Sequence, residues 1–210
     1  MVQARTRLPV PVRGAIVLAG GPSRRFGRPK PLASFRGRPL VLRVVDAARG
    51  VSDEVAVVGR GPLASEIASI LPAHVHLVRD ARRVQTPVVG LLAGAAALRS
   101  PYVAALACDL PLLRPTLLAR LFQYARGRDA AIPRWPDGRI EPLVAVYRRE
   151  ALLVGAREAL RARTYANQDV VRRLHDVRYV STDTLRSVDR DLLSFANVNT
   201  RRDLSRALRL

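Results

Sequence analysis

A chain of 210 residues, 49% of them hydrophobic, is long enough for one α/β domain, and its single cysteine, Cys108, excludes an internal disulfide. No apolar run reaches the roughly 18–20 residues of a membrane span, and residues 1–13 lack the apolar segment of a secretory signal, so we expect a cytoplasmic protein. The net charge of +19 suits polyanionic ligands, but the arginines are scattered and only 5% of residues are aromatic, which argues against nucleic acid as the main partner.

Apolar runs typical of strands alternate with amphipathic segments typical of helices in the first part of the chain. The strand-like runs lie at residues 13–19, 55–58, 75–78 and 102–108. The helix-like segments lie at residues 39–49, 62–71, 87–98 and 115–126. The run at 102–108 is apolar throughout, which is typical of a central strand. This order predicts a Rossmann-like, three-layer α/β/α fold with a mostly parallel central sheet.

The second part of the chain is more helical. It predicts short strands at 129–133 and 141–147 around a turn at 135–138, helices at 150–161 and 167–175, and strands at 177–180 and 195–198. A last helix begins after Thr200, an N-cap residue, with Asp203 in the position of a capping box. Because no repeat or linker interrupts the pattern, we expect a single domain over residues 1–210.

A glycine-rich, basic stretch follows the first predicted strand. Its glycines would let backbone N–H groups approach a phosphate closely, and Arg25 and Lys30 add cations. Lys30 is the only lysine among 36 basic residues, so a compact ammonium is predicted to have a role there that arginine cannot fill. The glycine spacing matches neither a Walker A loop nor a dinucleotide fingerprint. The stretch is therefore predicted to bind a triphosphate by another arrangement.

This stretch resembles the signature L-A-G-G-x-S-x-R-x-G-x-x-K of the sugar-nucleotidyltransferase-like superfamily. The matching residues are Leu18, Ala19, Gly20, Gly21, Ser23, Arg25, Gly27 and Lys30. The resemblance implies a nucleotidyltransferase fold in which this loop wraps a nucleoside triphosphate. It also implies that Arg25 and Lys30 contact the phosphates, with backbone N–H groups of residues 20–23 around the β- and γ-phosphates.

Two aspartates follow predicted strands. Asp109 comes after the central strand, where a carboxylate would face the ligand crevice and suit Mg²⁺; the alternative is that it caps the next turn. In the superfamily the matching aspartate binds the metal. Asp80 and the glycines at 90 and 94 resemble an element that helps to hold the base and ribose, the alternative for Asp80 being a simple loop acid.

Two asparagines near the end of the chain narrow the choice of substrate. Alternation puts Asn197 and Asn199 on one side of an extended segment, where they could bind a polar heterocycle or hold the turn into the last helix. The segment resembles the F-x-N-I-N-T signature of molybdenum cofactor guanylyltransferases, and the run around Glu141 resembles the same family. The resemblance implies that Glu141, Asn197 and Asn199 line the pocket of an acceptor.

That family implies transfer of GMP from GTP to the phosphate of molybdopterin, with release of pyrophosphate and with Mg²⁺ as cofactor. Arg25, Lys30 and Asp109 would be the catalytic residues, and no general base is needed because a phosphate nucleophile is already ionised. Residues 13–110 would bind the nucleotide and residues 111–210 the acceptor. We expect a monomer or weak oligomer without a membrane partner, in transient contact with other proteins of cofactor biosynthesis.

Three alternatives stay open. Many family members carry an asparagine after the second strand that contacts guanine, whereas this chain has Gly59, Arg60 and Gly61 there, so CTP could replace GTP. The acceptor could instead be adenosylcobinamide phosphate. A non-enzymatic alternative is an arginine-rich protein associated with nucleic acid, which would bind polyanions without nucleotide specificity.

Overall fold

A computed structural model describes residues 13–21, 26, 29–80 and 86–210, and these form a seven-stranded sheet in the order β5-β4-β1-β6-β8-β7-β9. Neighbours are parallel from β5 to β6 and between β7 and β9, and β8 is antiparallel to both β6 and β7. The strands are β1 (Arg13–Leu18), β2 (Ser34–Phe35), β3 (Arg38–Pro39), β4 (Glu54–Gly59), β5 (His76–Arg79), β6 (Tyr102–Ala107), β7 (Ala130–Arg134), β8 (Val144–Arg148) and β9 (Val177–Ser181). β2 and β3 form a separate hairpin.

Helices cover both faces of this sheet. They are α1 (Leu40–Arg49), α2 (Gly61–Ala68), α3 (Pro87–Ala97), α4 (Pro115–Ala125), α5 (Arg149–Arg161), α6 (Asn167–Val171), α7 (Thr182–Leu185) and α8 (Arg201–Ala207). One buried cluster joins the sheet to α1, α2 and α4, and a second joins it to α3, α5 and α6. The predicted three-layer α/β/α fold with a mostly parallel sheet is therefore confirmed. No helix in the described parts of the chain is long and apolar enough to cross a membrane.

Strand β6 lies in the middle of the sheet, as its apolar sequence predicts. Its residues 103–106 are fully buried, with β1 on one side and β8 on the other. The chain runs from β1 outward to β4 and β5, then returns through α3 to β6 on the opposite side of β1. The strand order thus reverses between β1 and β6, and in open α/β sheets such a reversal opens a crevice at the carboxyl ends of the strands.

The predicted strand at 195–198 is wrong. A 3-10 turn, Leu193–Phe195, leads into an extended segment that joins no sheet. The turn is held by the buried Asp189 carboxylate, which accepts hydrogen bonds from the amides of Leu193 at 3.2 Å and Ser194 at 2.8 Å. The helix predicted at 167–175 is also shorter, since α6 ends at Val171.

Candidate active site

A cavity of about 230 Å³ opens at the carboxyl ends of β1, β4, β5 and β6. The ends of β1 and β6 are joined by a hydrogen bond from the Cys108 amide to the Leu18 carbonyl at 3.1 Å, and Ala19 donates to Val58 of β4 at 2.9 Å. The described residues around it are Leu18, Gly20, Gly21, Lys30, Pro31, Val58, Gly59, Asp80, Thr86, Pro87, Gly90, Ala107, Cys108, Asp109 and Leu143. Ala19 is fully buried behind the cavity. The predicted nucleotide residues within the described ranges thus surround one space or support its wall.

Lys30 and Asp109 form an ion pair at this cavity. Lys30 begins the single-turn 3-10 helix Lys30–Leu32, and its Nζ lies 2.6 Å from Asp109 Oδ2. Both side chains are largely shielded, with exposures of 20% and 13%. The ammonium also donates to Asn199 Oδ1 at 3.1 Å. The structure therefore brings together three predicted site residues from the two ends of the chain.

The second carboxylate oxygen of Asp109 has a different environment. Oδ1 is buried and has no hydrogen-bond partner among the described residues. The same part of the chain contains no group of three or more His, Cys, Asp or Glu side chains that could hold a metal ion by itself. A single hard oxygen donor of this kind would fit Mg²⁺, which uses one or two carboxylates and completes its shell with substrate oxygens and water.

The glycines of the cavity fall into two groups. A Cβ on Gly21 would meet no described atom within 4 Å, and one on Gly20 would make only ordinary contact with Arg60 at 3.6 Å. A Cβ on Gly90 would lie 2.9 Å from Leu18, and one on Gly94 would overlap Ile16. Gly90 and Gly94 are thus required for packing α3 against β1. The space beside Gly21 is open among the described residues and is accessible to a ligand.

Asp80 lies on the cavity wall directly after β5. Its amide donates to the Gly59 carbonyl at 2.9 Å, and its carboxylate oxygen Oδ2 lies 3.9 Å from NH1 of Arg60. Arg60 belongs to the stretch 59–61, which stands where many members of the resembling family carry an asparagine. Of these two residues Asp80 lines the cavity, and the planar guanidinium of Arg60 lies behind its carboxylate as a donor.

Ser23, Arg25 and Gly27 lie outside the described residues. Their predicted contacts with phosphates therefore stay predictions. The described residues on either side, Gly21 and Lys30, both line the cavity.

The predicted acceptor residues occupy two places. Glu141 Oε1 accepts a hydrogen bond from Trp135 Nε1 at 2.7 Å, and the Trp135 ring makes an edge contact with Phe195 at 5.6 Å between centroids. Asn197 and Asn199 are exposed on either side of the buried Val198, so the predicted alternation is correct although the strand is not. Of these acceptor candidates, Asn199 is the one that reaches Lys30.

The capping box predicted at the last helix is present. Thr200 Oγ1 accepts from the Asp203 amide at 3.1 Å, and Asp203 Oδ2 accepts from the amides of Thr200 at 2.8 Å and Asn199 at 3.0 Å. The hydrogen bonds from Thr200 hold the pKa of the Asp203 carboxyl below its ordinary value. The carboxylate therefore stays ionised and fixes the backbone of Asn199.

Sequence reasoning missed several residues of the cavity. Thr86 caps α3, because its Oγ1 accepts a hydrogen bond from the Val89 amide at 3.4 Å. The Thr-Pro pair at the start of the helix is the sequence signal from which this residue could have been located. Leu143 immediately precedes the first residue of β8, and no sequence signal of this kind marks it as a cavity residue. Burial raises the pKa of the Cys108 thiol to about 12, so this thiol is protonated near neutral pH and is no nucleophile.

Comparison with known proteins finds relatives that match most of this chain. The model of the family described as MobA-like NTP transferase domain matches residues 15–177, which include the glycine-rich loop and Asp109. A Methanosarcina acetivorans protein named "Probable molybdenum cofactor guanylyltransferase" is 35% identical over 205 residues, 91% of this chain and 88% of that protein. A Desulfosudis oleivorans protein named "Molybdenum cofactor guanylyltransferase" is 32% identical over 197 residues, 91% and 92% of the two chains. The solved molybdopterin-guanine dinucleotide biosynthesis protein A of Archaeoglobus fulgidus superposes with a TM-score of 0.79 and 27% identity, covering 93% of this chain and 97% of that one.

Proposed function

This chain belongs to the MobA-like NTP transferase family, and we propose that it transfers GMP from GTP to the phosphate of molybdopterin, releasing pyrophosphate. The observation that carries the proposal is the meeting of Lys30, Asp109 and Asn199 at one cavity. The first two residues belong to the nucleotide motifs, and the third belongs to the segment that resembles guanylyltransferases. The names of the two relatives support the same assignment.

The reaction is an in-line displacement at the α-phosphorus. An oxygen of the acceptor phosphate forms a bond to this phosphorus while the bond to the bridging α,β-oxygen breaks, and the electron pair leaves with pyrophosphate. The acceptor oxygen is already ionised near pH 7, so no side chain has to remove a proton. Catalysis then consists of positioning and of neutralising charge on the phosphates.

Lys30 supplies a compact positive charge for the nucleotide phosphates. Its ammonium lies at the cavity with an exposure of 20%, where a nearby charge is weakly screened. The backbone of Gly20 and Gly21 lines the same cavity and would donate N–H groups to the β- and γ-phosphates. Ser23 and Arg25 are expected to complete this cradle.

Asp109 is the residue that would hold a divalent cation, for which we expect Mg²⁺. The orphaned Oδ1 atom, buried and without a hydrogen-bond partner among the described residues, supports this role. When bound, the cation neutralises charge on the triphosphate. The protein's own contribution is to place one hard oxygen ligand, Oδ1, beside the ammonium of Lys30. This ammonium is already paired with the other carboxylate oxygen, Oδ2.

Asp80 and Arg60 would select the base. Guanine offers the O6 and N7 acceptors that match an arginine, and its N1–H and amino group match a carboxylate. Cytosine carries one amino donor for Asp80 beside its N3 and O2 acceptors on the same edge, whereas guanine presents two donors on one edge and two acceptors on another. Because residues 59–61 contain no asparagine of the kind common in the family, CTP is retained as the competing nucleotide.

The acceptor would be bound by the C-terminal part of the chain. Asn197 and Asn199 present exposed polar side chains, of which Asn199 contacts Lys30, and Glu141 would act through Trp135, which contacts Phe195 of the same segment. Residues 13–110 would hold the nucleotide and residues 111–210 the acceptor within a single domain. A cytoplasmic monomer or weak oligomer, in transient contact with other proteins of cofactor biosynthesis, completes the proposal.

The experiment that tests the function is release of pyrophosphate when the purified chain receives GTP, Mg²⁺ and molybdopterin. The expected result is stoichiometric pyrophosphate with GTP and much less with CTP. Omission of molybdopterin is the control, since hydrolysis of GTP alone would release pyrophosphate or phosphate without an acceptor. Equal release of pyrophosphate with and without the acceptor would contradict the proposal. Preferential use of CTP would change the assigned nucleotide from GTP to CTP.

A further inference from the structure

The contact between Lys30 and Asn199 joins parts of the chain that are 169 residues apart. Lys30 ends the glycine-rich loop, and Asn199 belongs to the segment assigned to the acceptor. The donor–acceptor distance of 3.1 Å is within the range of a hydrogen bond. A residue placed on the acceptor side by its motif thus touches the cation on the nucleotide side.

The backbone around Asn199 is fixed on both sides. The amide of Val198 donates to the Asp109 carbonyl at 2.9 Å, and the amide of Asn199 donates to Asp203 Oδ2 at 3.0 Å. Val198 is buried, so the segment cannot rotate as an exposed loop would. The amide oxygen of Asn199 is therefore presented to Lys30 by a preorganised backbone.

From this geometry we infer that Asn199 is a positioning residue for Lys30 and contributes to nucleotide binding before any acceptor arrives. A lysine side chain has a flexible four-carbon stem and loses much freedom when its ammonium is fixed. The Asp109 carboxylate and the Asn199 amide oxygen hold this ammonium from two directions, so less freedom remains to be lost when the phosphates bind. The inference rests on the proposed function, because it requires Lys30 to act on nucleotide phosphates.

The test is equilibrium binding of GTP with Mg²⁺ to the full chain, without acceptor. Asn199→Ala should weaken GTP binding about tenfold, the fold-change for a lost hydrogen bond to a charged group. Asn199→Asp should weaken it further, because a second carboxylate beside Lys30 repels the triphosphate. Gln168→Ala is the contrast variant: it removes an exposed amide side chain on α6, outside the proposed site, and it should leave GTP binding unchanged. A role confined to the acceptor predicts that all three variants bind GTP like wild type.

A double-mutant cycle with Lys30→Met separates positioning from a general structural effect. If Asn199 acts through Lys30, Asn199→Ala should cause no further loss of GTP binding in the Lys30→Met background. An equal loss in both backgrounds, or wild-type binding by Asn199→Ala, overturns the inference. Thermal unfolding of each variant checks that the fold is retained.

The same titrations distinguish this inference from the proposed function. Weaker GTP binding by Asn199→Ala in a chain that transfers nothing to molybdopterin would overturn the function and keep the inference. If wild type prefers CTP, the cycle is measured with CTP, and the same additivity criterion applies. A wild-type chain that binds no nucleoside triphosphate overturns both.

Discussion

The amide of Val198 donates a hydrogen bond to the backbone carbonyl of Asp109, with 2.9 Å between nitrogen and oxygen. This bond ties the asparagine segment to the residue that follows the central strand. Asp109 thereby makes two contacts with different parts of the site, one through its backbone to Val198 and one through its carboxylate to Lys30. The asparagine segment and Lys30 are thus linked through a single residue.

Substitution of Gly21 separates a ligand requirement from a packing requirement. Gly21→Ala should change the free energy of unfolding by less than about 0.5 kcal/mol, because its Cβ meets no described atom within 4 Å. It should weaken GTP binding at least about tenfold if phosphates approach the backbone there. Urea denaturation and GTP titration measure the two effects.

Gly94→Ala is the matched control for this experiment. Its Cβ would overlap Ile16, so the variant should lose about 1–3 kcal/mol of stability. If Gly21→Ala instead binds GTP normally, the glycine-rich loop does not approach the phosphates at this residue.

Lys30→Arg tests why the chain retains one lysine. The larger, planar guanidinium cannot take the place of an ammonium that lies 2.6 Å from Asp109 and 3.1 Å from Asn199 without displacing one of them. We expect kcat to fall about 100-fold, as for a misplaced catalytic charge, with an unchanged unfolding temperature. Arg172→Lys, in an exposed ion pair with Asp169, is the control for the exchange of the two residue types. Normal turnover by Lys30→Arg would make the single lysine an accident of composition.

The sequence was most informative where function depends on strand ends. Gly20, Lys30, Asp80 and Asp109 could be assigned to one site because the carboxyl ends of parallel strands meet at one edge of the sheet. The apolar run of β6 further indicated which strand would be central. These signals are local, and they do not depend on knowing how distant side chains pack.

Two features needed the structure. The segment at 195–198 alternates in exposure as a strand does, because any extended backbone alternates, whereas the ladder depends on a neighbouring strand that the sequence does not specify. The hydrogen bond between Lys30 and Asn199 spans 169 residues and arises only when the chain closes around Asp109. The sequence pattern specifies neither the missing neighbour of this segment nor a hydrogen bond between residues so far apart.

Asp129 is expected to stabilise the fold without taking part in the reaction. Burial raises the pKa of its carboxyl, but hydrogen bonds from Arg148 and from the amides of Asp176 and His175 outweigh this and hold the pKa below its ordinary value. Asp129→Asn should therefore lower the free energy of unfolding by about 1–3 kcal/mol at pH 7. Because the pKa is lowered on folding, this stabilisation is complete above the unfolded value of about 3.9 and disappears as pH falls through the folded value.

Urea denaturation of wild type and Asp129→Asn at pH 7 and in acid measures this difference. Asp176→Asn is the control, since Asp176 forms an ion pair with Arg128 in which both side chains are 50% exposed, and should cost less than about 1 kcal/mol. The difference in free energy of unfolding between wild type and Asp129→Asn should shrink in acid. A difference that grows as the pH falls below 4 would contradict a lowered pKa at Asp129.

Arg60→Met tests the choice of base. Removal of the guanidinium near Asp80 should weaken binding of GTP about 3- to 10-fold more than binding of CTP, because guanine can offer a pair of acceptors to Arg60 and a pair of donors to Asp80 on separate edges. Competition between the two nucleotides for the free enzyme measures the ratio. Arg79→Met is the control, because this arginine donates to Ser65 at 3.3 Å and its loss should leave the ratio unchanged. The same ratio in wild type and Arg60→Met would remove Arg60 from base selection.

The fate of each phosphate of GTP tests the central claim most directly. With Mg²⁺ and molybdopterin, label in the α-phosphate should appear in the molybdopterin product, and label in the γ-phosphate should appear in pyrophosphate. Asp109→Ala should abolish both transfers while the chain remains folded. Transfer of γ-label to molybdopterin, or α-label that remains in GTP or appears as free GMP, would contradict nucleotidyl transfer at this site.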